Sequence, residues 1–485
     1  MGPDGGGASG ECVSRRVALI AAVGLLVILA LARRPPARPP VRLLFTGDIL
    51  LSREVEVEIK ATGRSPWAQI APFLSGADWT GGNLEGAFGS EEDCRTTGDA
   101  PCFAFPDASA ELLARAGFDA LSVENNHAAD LGVAGRIHTR EVLSAAGVMG
   151  ADFEHSPTFF RVGERTIALI SVNLVPGTDG QAHQIPSVAL SQKLRLAHTL
   201  ADLVVVSVHW GRELTEWPSK EQKEAAEWLV EEGADLIVGH HPHVIQPPDC
   251  LHGHPVFFSL GNHVFDQRDP ATKLGLIADC TISDDRLRCQ GAGTTTRRGS
   301  AVPVVTDTMP SEPLRGCAPR LHPSLVIDGY SVRPEPWSPT TEGKGLVLEG
   351  RKDGVPPWRS RRVDVVAMEF GLATDSGPPL LLSLERHPSE MDGEVALRPH
   401  VYDVGPRGLI AKWRGTALAW PLLDAVIDED GELCALHRGD SFLRPDPSTT
   451  VTRTLHYRWN GFGFSATKDS TKDTACRRSM AELTG

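Results

Sequence analysis

Four histidines at the ends of two predicted strands are the residues whose types and spacing point most directly to chemistry. His209 follows the apolar run LVVVSV, and His240, His241 and His243 follow DLIVG. Such runs are typical of strands buried on both faces of a parallel sheet, and ligands collect outside the carboxyl ends of these strands. A lone histidine in this position is most often a surface or core residue. Four imidazoles at two strand ends instead predict a metal or catalytic site.

The segment between these two strands is a predicted helix with both of its ends marked. Ser219 is a suitable N-cap, and Gln222 completes a capping box three residues later. Gly233 suits the position just past the helix. The order strand, helix, strand predicts an α/β fold with a parallel sheet.

Carboxylate and amide side chains follow other predicted strands. Asp48 follows VRLLFTG, Glu85 stands among glycines in GGNLEG, and Asn126 with His127 follows a strand predicted over 120–123. Taken alone, a Gly-Asp pair or a glycine-rich loop is more often a turn than a site. Together with the histidines, these groups form a mixed oxygen and nitrogen donor set that suits divalent Mn, Fe or Zn. Two such ions clamp the attacking and leaving oxygens of a displacement.

The motifs also occur in a recognisable order. GD, NLEG, NNHxxDxGxxG, HWGxE, GADxIVGHHPHVxQ and SLGNxVFDQ follow one another between residues 41 and 267. This series resembles the CapA family of capsule and poly-γ-glutamate synthesis proteins, which is similar to the calcineurin-like metallophosphatases. The resemblance implies a metallophosphatase-like α/β sandwich, and we expect a smaller β-rich C-terminal domain after it.

The resemblance also implies a role for each site residue. Asp48 and His243 would bind a first divalent ion, and Glu85 would bridge it to a second one. The second ion would be bound by Asn126, His209 and His241. His127 would be the catalytic residue, which stabilises the transition state or protonates the leaving group. The implied cofactor is one or two ions of Mn, Fe or Zn.

The chain departs from the metallophosphatase pattern at two places. Where the phosphatases have Asp-x-His, this chain has Asp48-Ile49-Leu50, so that one ligand is missing. Their bridging aspartate is replaced by Asn83-Leu84-Glu85. Both departures weaken the inference of two ions.

Several residues near the motifs have competing interpretations. His263 replaces an expected aromatic residue, and it is an extra ligand or, as we favour, a packing residue. Asp130 is expected to cap the helix that follows it. Glu213 and Gln246 are candidate partners of the ligands. Trp210 and Trp217 either line a substrate cleft or, as we favour, pack in the core.

The charge of the chain limits its partners. With 62 acidic and 48 basic residues, the net charge is −14. Binding to nucleic acid or to an anionic membrane surface would require a basic patch. We therefore predict no nucleic-acid partner, and a polyanionic ligand would need metal ions or a local basic cleft.

The apolar run at residues 17–32 predicts export. Arginine pairs flank it, and the run is slightly short of the ~20 residues that span a bilayer. A cleaved signal peptide and an uncleaved signal anchor both fit, and we favour the anchor. Residues 1–16 would then be cytoplasmic, and the proline- and arginine-rich residues 33–40 would be a linker. The main domains would be extracytoplasmic on a single-pass cell-membrane protein, or secreted or periplasmic after cleavage.

Eight cysteines follow the apolar run, and their even number fits an oxidising compartment. Cys94 with Cys102 and Cys280 with Cys289 are the natural local pairs. Isolated buried thiols are the alternative.

The chain is long enough for two or three domains. Residues 41–275 are the CapA-like metallophosphatase domain, 276–323 a cysteine-containing linker, and 324–485 a β-rich accessory domain built from short alternating runs. The run DEDGELCAL in this last part faintly resembles a calcium loop, but a hairpin is the favoured interpretation.

Two classes of function remain open. One is an extracytoplasmic metal-dependent hydrolase or transferase that acts on a phosphate ester or on an acyl or amide bond of a surface polymer. The other is a non-catalytic subunit that binds metal or polymer within a synthesis or export complex. The missing Asp-x-His favours the second class, while the intact histidines favour the first. Hydrolysis of nucleotides ranks third, because no base-stacking aromatic pair is evident.

Overall fold

The fold was analysed in a computed structural model. The structure describes residues 38–485 except 96–99, 297–299, 306–313, 324, 340–344, 389–394, 416–417, 419, 442–443, 445, 447, 468–475 and 477–485. The predicted cytoplasmic segment 1–16, the apolar run 17–32 and most of the linker 33–40 lie outside the described residues. Within the described part of the chain, no helix has the length and apolar character needed to cross a membrane.

The N-terminal part of the described chain alternates strands and helices. Its strands are β1 (Val41–Ile49), β2 (Trp79–Leu84), β3 (Ala87–Phe88), β4 (Ala104–Phe105), β5 (Ala120–Ser122), β6 (Met149–Ala151), β7 (Thr158–Val162), β8 (Arg165–Asn173), β9 (Leu203–His209), β10 (Leu236–His240), β11 (Ile245–Gln246), β12 (Asp249–Leu251), β13 (His254–Phe257), β14 (Ser259–Leu260), β15 (Asn262–Val264), β16 (Leu274–Ser283), β17 (Arg286–Thr296) and β18 (Pro303–Val305). Its helices are α1 (Arg53–Thr62), α2 (Ala71–Leu74), α3 (Ala110–Ala116), α4 (Gly132–Ala145), α5 (Val188–Leu200) and α6 (Lys220–Glu231).

Two sheets form an α/β sandwich, as predicted. The first has the order β18-β17-β16-β1-β2-β5-β6, with β15 also paired to β1, and the second has the order β12-β13-β10-β9-β8-β7. Neighbouring strands β1, β2, β5 and β6 are parallel, as are β8, β9, β10 and β13. One apolar cluster joins the inner faces of the two sheets, including Phe45, Trp79, Leu169 and Val205. Successive residues of β1 alternate between this cluster and the outer one, because side chains of a strand point to opposite faces.

The helices cover the outer faces of the sandwich. Helices α1 to α4 pack on the first sheet, while α5 and α6 pack on the second. Helix α6 begins as predicted, because Ser219 accepts from the N–H of Gln222 and the Gln222 side chain accepts from the N–H of Ser219. These caps and apolar faces orient the carboxyl ends of the central strands toward one edge.

The structure differs from the predicted linker at residues 276–323. Strands β16 and β17 form a long antiparallel hairpin, and β16 pairs with β1 at the centre of the first sheet. The alternating apolar residues of β16 complete the core between the sheets. The Gly, Thr and Arg content of this stretch resembles a loop, but its position beside β1 makes it part of the sandwich.

The C-terminal part of the described chain is β-rich, in agreement with the prediction. Its strands are β19 (Val326–Ile327), β20 (Tyr330–Pro334), β21 (Leu348–Lys352), β22 (Val355–Arg359), β23 (Val365–Leu372), β24 (Leu380–Pro388), β25 (Val395–Gly405), β26 (Gly408–Arg414), β27 (Leu422–Ile427), β28 (Leu433–Arg438), β29 (Thr452–Trp459) and β30 (Phe464–Ala466). They form an antiparallel sheet of β19 to β22 and a larger antiparallel sheet of β23 to β30. The DEDGELCAL run is the predicted hairpin, formed by β27 and β28.

Helix α5 joins the sandwich to the C-terminal sheets. Arg195 pairs with Glu369 at 2.9 Å and with Asp424 at 2.6 Å, which lie on β23 and β27. The Thr199 hydroxyl donates to the carbonyl of Met368 at 2.5 Å. Apolar residues of α5 belong to a cluster that continues into β20, β21, β23 and β24. The described residues from 40 onward therefore fold as one compact unit.

Disulfides join the eight cysteines in four pairs. The two local pairs, Cys94–Cys102 and Cys280–Cys289, are confirmed. The remaining pairs are Cys250–Cys317 and Cys434–Cys476.

Candidate metal centre

Five strands bring the predicted site residues to one edge of the sandwich. Asp48 lies at the end of β1, Glu85 follows β2, Asn126 and His127 follow β5, His209 ends β9, and His241 and His243 follow β10. All of these side chains except Asn126 and His127 are buried. The carboxyl ends of parallel strands therefore gather the residues that the sequence placed at them.

Asp48 is held by groups from three elements. The Asn83 amide donates to its Oδ1 at 2.9 Å, and the Nδ1 atoms of His240 and His243 lie 3.2 and 3.3 Å from its two oxygens. Burial alone would raise the pKa of Asp48, but the two histidines hold it well below its usual range. His240 was not among the predicted ligands, although it follows the same strand as His241.

A close approach between β1 and the backbone at Gly261 explains why a glycine precedes Asp48. A Cβ atom at Gly47 would lie 1.9 Å from the carbonyl oxygen of Gly261. The N–H of Asp48 donates to that same oxygen at 3.0 Å. Only glycine allows these two backbone segments of the chain to approach so closely.

Glu85 is a buried carboxylate whose charge is not compensated by hydrogen-bond donors. It is fully buried, and neither of its oxygens has a hydrogen-bond partner among the described residues. Its Oε1 lies 3.5 Å from His243 Nε2 and 3.9 Å from His209 Nε2. Burial raises the pKa of Glu85 well above its usual range. A buried carboxylate without donors is costly unless a positive charge reaches it.

The histidines of the cluster differ in their electrostatics. Burial and the neighbouring His241 lower the pKa of His209 well below its usual range, and burial with the charge of His243 lowers the pKa of His241 to about 4. Burial also opposes the charged form of His243, but Glu85 and Asp48 raise its pKa to about 9. Neutral imidazoles are the form that binds metal ions.

Asn126 completes the cluster through His209. Its Oδ1 lies 2.8 Å from His209 Nε2. The Nδ1 atoms of His209 and His241 are buried and have no partner among the described residues. The loop after β10 is also strained, because His241 and His243 have φ values of 94° and 57°.

The donor set fits divalent ions. The ligand atoms of Glu85, His241 and His243 lie within 4.8 Å of one another, as do those of Asp48, Glu85 and His209. Glu85 belongs to both groups, which is the position of a bridging carboxylate. This grouping of ligands differs from the one that the family resemblance implies. The resemblance assigns Asp48 and His243 to one ion, and His209 and His241 to the other. Glu85, His209 and His241 have buried oxygen or nitrogen atoms without hydrogen-bond partners in the described structure. A mixed set of oxygen and nitrogen donors suits Mn, Fe or Zn.

His127 is positioned by Asp130, which corrects the expectation for Asp130. Helix α4 begins after Leu131 without a side-chain cap. Asp130 instead lies 2.8 Å from His127 Nδ1, and it accepts from the N–H of Phe103 and the hydroxyl of Thr178. The imidazole also stacks on Phe103, with 3.9 Å between ring centroids. The spacing His-x-x-Asp was the signal in the sequence for this pair.

Three other candidates have structural roles. His263 is a packing residue, because it is buried against Phe118 and belongs to neither group of clustered ligand atoms. Burial lowers its pKa to about 3. Trp210 is buried as predicted, and its indole N–H donates to the carbonyl of Phe258. Core packing was wrong for Trp217, whose side chain is exposed on the loop after β9. The Gln246 amide donates to the carbonyls of Thr215 and Trp217, and thus anchors the loop after β9.

Glu213 lies on that same loop and is exposed. Its charge contributes to raising the pKa values of Glu85 and His243. It is therefore close enough to influence the cluster electrostatically.

A third cluster lies at the β27–β28 hairpin and already has internal partners. Asp428, Glu432 and His456 lie within 4.8 Å of one another. His456 Nε2 is 2.7 Å from Asp428, and the Arg458 guanidinium donates to Glu432 at 2.7 Å. This group is an ion-pair network.

The fold and the cluster define an α/β sandwich with a candidate metal centre at the carboxyl ends of its central strands. Residues 42–267 match the family model described as bacterial capsule synthesis protein PGA_cap. The PGA biosynthesis protein CapA of Bacillus subtilis (strain 168) is 31% identical over 265 residues, which cover 51% of this chain and 68% of that protein. The chain belongs to this CapA family of bacterial capsule synthesis proteins.

Two further similarities were found. The capsule biosynthesis protein CapA of Bacillus anthracis is 27% identical over 305 residues, covering 56% of this chain and 73% of that protein. The chain also superposes on the crystal structure of a novel phosphatase from Mycoplasma pneumoniae, with 14% sequence identity and a TM-score of 0.33. The superposition covers 59% of this chain and 95% of the phosphatase chain.

Proposed function

We infer that this protein is an extracytoplasmic, metal-dependent hydrolase that acts on a capsule polymer of the poly-γ-glutamate type. The observation that carries this inference is Glu85, a buried carboxylate without donors that is shared by two groups of metal-ligand atoms. The names of the relatives support the polymer, since both are capsule or PGA biosynthesis proteins.

The residues of the cluster have separate tasks in this proposal. Asp48, Glu85, Asn126, His209, His241 and His243 would hold one or two divalent ions of Mn, Fe or Zn. Such ions supply Lewis-acid polarisation and an activated water at neutral pH. His127 would stabilise the transition state or protonate the leaving group through Nε2, since Asp130 engages Nδ1. Burial of the ligands excludes bulk water and strengthens these electrostatic effects.

One observation favours the second candidate, a non-catalytic subunit of a polymer synthesis or export complex. Leu50 stands at the position of the missing histidine ligand and is fully buried in an apolar cluster. A site with one ligand fewer would hold a single ion in place of two, and a single ion lacks the clamp on both the attacking and the leaving oxygen.

The proposed location rests on two features. Four disulfides within the described chain support an oxidising compartment outside the cytoplasm. The apolar run at residues 17–32 would anchor the chain in the membrane or direct its secretion. Partners would then be a surface polymer and its biosynthetic or export complex, with no role for nucleic acid.

The test compares metal content and turnover in the full chain and two variants. We expect up to two divalent ions by mass spectrometry, together with cleavage of poly-γ-glutamate or of a generic phosphodiester. Asp48→Ala and His241→Ala should lose both metal and activity, because each removes a ligand from the cluster. Bound metal without turnover on either substrate would favour the non-catalytic subunit.

The matched control is His138→Ala, which removes an imidazole paired with Asp107 outside the cluster. It should retain metal and activity. Absence of metal from the parent under supplementation would overturn the metal centre itself.

A further inference from the structure

A groove rich in arginine lies on the C-terminal β-sheets, outside the part of the chain that matches the family. It has a volume of about 470 Å³. Its arginines are Arg359, Arg361, Arg362, Arg386, Arg407 and Arg414. Two carboxylates, Asp364 and Glu385, also line it. In a chain of net charge −14, this is a local concentration of the opposite sign.

The floor of the groove is the face formed by β24, β25 and β26. His400 on β25 pairs with Ser383 on β24 and with Arg414 on β26. Tyr402, two residues along β25 on the same face, donates its hydroxyl to Glu385 at 3.0 Å. Glu385 and His400 are buried, so the floor is a formed surface with its polar groups engaged.

The arginines are distributed along the strands. Arg414 lies across from His400, whereas Arg407 lies in the turn that joins Gly405 to Gly408. Gly405 stands five positions after His400 on β25, which is roughly 17 Å along a strand. The positive charges are therefore arranged to meet several anionic groups of an extended ligand.

Four of the arginines have neither an ion pair nor a side-chain hydrogen bond among the residues that the structure describes. Arg359 pairs with Glu335 and Glu349, and Arg362 donates to the carbonyl of Gly345. The guanidinium groups of the other four are exposed and engage no described carboxylate. An arginine that is not already paired retains its planar fork for a carboxylate or phosphate of a ligand.

The chemistry favours a carboxylate polymer over nucleic acid. Single-stranded nucleic acid is bound by exposed aromatic platforms beside the cations. The aromatic residues lining this groove are His387, His400 and Tyr402, and the tyrosine hydroxyl is committed to Glu385. A chain with carboxylates at regular intervals requires only separated guanidinium forks.

We propose that this groove binds an extended segment of a carboxylate-bearing linear polymer, and holds it while the sandwich acts on it. The proposal rests on the proposed function for its choice of polymer. It adds to the proposed function a separate binding site, lined by residues between 359 and 414.

The test measures binding of a fluorescein-labelled γ-linked glutamate oligomer to the full chain by fluorescence anisotropy. The variant Arg361→Gln/Arg407→Gln/Arg414→Gln should bind roughly tenfold more weakly or worse, because three charge-assisted contacts are lost. Binding to the parent should weaken as the salt concentration rises. Unchanged melting temperature and metal content would show that the variant is folded.

The matched control is Arg64→Gln/Arg115→Gln/Arg351→Gln, which removes the same charge from exposed positions outside the groove. It should bind within about twofold of the parent. Equal losses in both triple variants would overturn the proposal, as would unchanged binding in the groove variant. Tighter binding of polyphosphate than of the glutamate oligomer would overturn the choice of carboxylate.

Failure of this site and failure of the proposed function give different results. Asp48→Ala should still bind the oligomer through the groove, although it loses metal. If the groove variant binds normally while the parent holds metal and cleaves substrate, only the groove proposal fails.

Discussion

Asp130 determines which nitrogen of His127 carries a proton. An ionised carboxylate 2.8 Å from Nδ1 favours the Nδ1–H tautomer, which leaves Nε2 for chemistry. If the proposed hydrolase function holds, Asp130→Asn should lower kcat by about 10²-fold or more, because the amide can stabilise the opposite tautomer. Metal content should not change, since Asp130 is not among the clustered ligand atoms. Steady-state kinetics beside mass spectrometry measure both quantities.

The control for this prediction is Thr178→Ala, which removes a donor to the other oxygen of Asp130. It should lower kcat much less than Asp130→Asn does. A similar loss in both variants would mean that Asp130 acts by supporting the loop rather than by orienting His127.

His263 should be replaceable by phenylalanine with a gain in stability. Its two buried ring nitrogens have no partner in the described structure, and such groups cost about 1–3 kcal/mol each. Burial lowers its folded pKa to about 3, against about 6.5 when unfolded, so the parent loses stability as the pH falls through this interval. His263→Phe removes that loss. Urea unfolding at pH 7.5 and 5 should show a gain at both values and a larger gain at pH 5. A less stable variant at both values would contradict this.

At this scale the sequence predicted most of the candidate site, because ligand types at strand ends are a local signal. Asp48, Glu85, Asn126, His209, His241 and His243 do gather at one edge. The contact of His240 with Asp48 was not predictable, because it depends on two strands of different sheets. Whether these residues hold metal stays a prediction.

At the scale of elements, a buried ion pair fastens α4 to the first sheet. Asp152, just after β6, accepts from Arg140 of α4 at 3.0 Å and from the N–H of His155 at 2.8 Å. Burial would raise the pKa of Asp152, but His155 and Arg140 lower it to about 2. Because the unfolded value is about 3.9, the contacts of Asp152 with His155 and Arg140 together stabilise the fold by roughly 2–3 kcal/mol above that pH. This contribution should be lost as the pH falls from about 4 to about 2.

Asp152→Asn tests this assignment. The variant should be less stable than the parent by about 2 kcal/mol at pH 7, and the difference should shrink toward pH 2. Denaturant titrations at several pH values measure it. A difference that does not depend on pH would show that packing, and not charge, is responsible.

The hairpin of β16 and β17 shows why one element was missed. In β17 it contains two glycines, which are depleted in strands, and the three threonines that favour a strand stand only at the end of β17. Its strand character comes from pairing with β1, a partner more than two hundred residues earlier in the chain. By contrast, α6 was predicted correctly because its capping box is local.

At the scale of the whole molecule, the disulfides should contribute unequally to stability. Cys250–Cys317 closes a separation of 67 residues, whereas Cys94–Cys102 closes 8. Loop-closure entropy predicts about 4 kcal/mol for the longer loop and about 2.5 kcal/mol for the shorter one. Paired Cys→Ser replacements, compared by guanidinium unfolding, should show the larger loss for Cys250 and Cys317. Equal losses would indicate that local packing outweighs chain entropy.

Helix α5 has a consequence for how this chain can be divided. It lies within the stretch that the capsule proteins share, but its apolar residues are covered by strands from beyond that stretch. A protein fragment of residues 42–267 would expose these apolar side chains of α5 to solvent. It would also lack Glu369 and Asp424, the ion-pair partners of Arg195. Such a fragment should aggregate or be degraded in the cell. The residues that match the family, 42–267, are therefore not an independently folding domain of this chain.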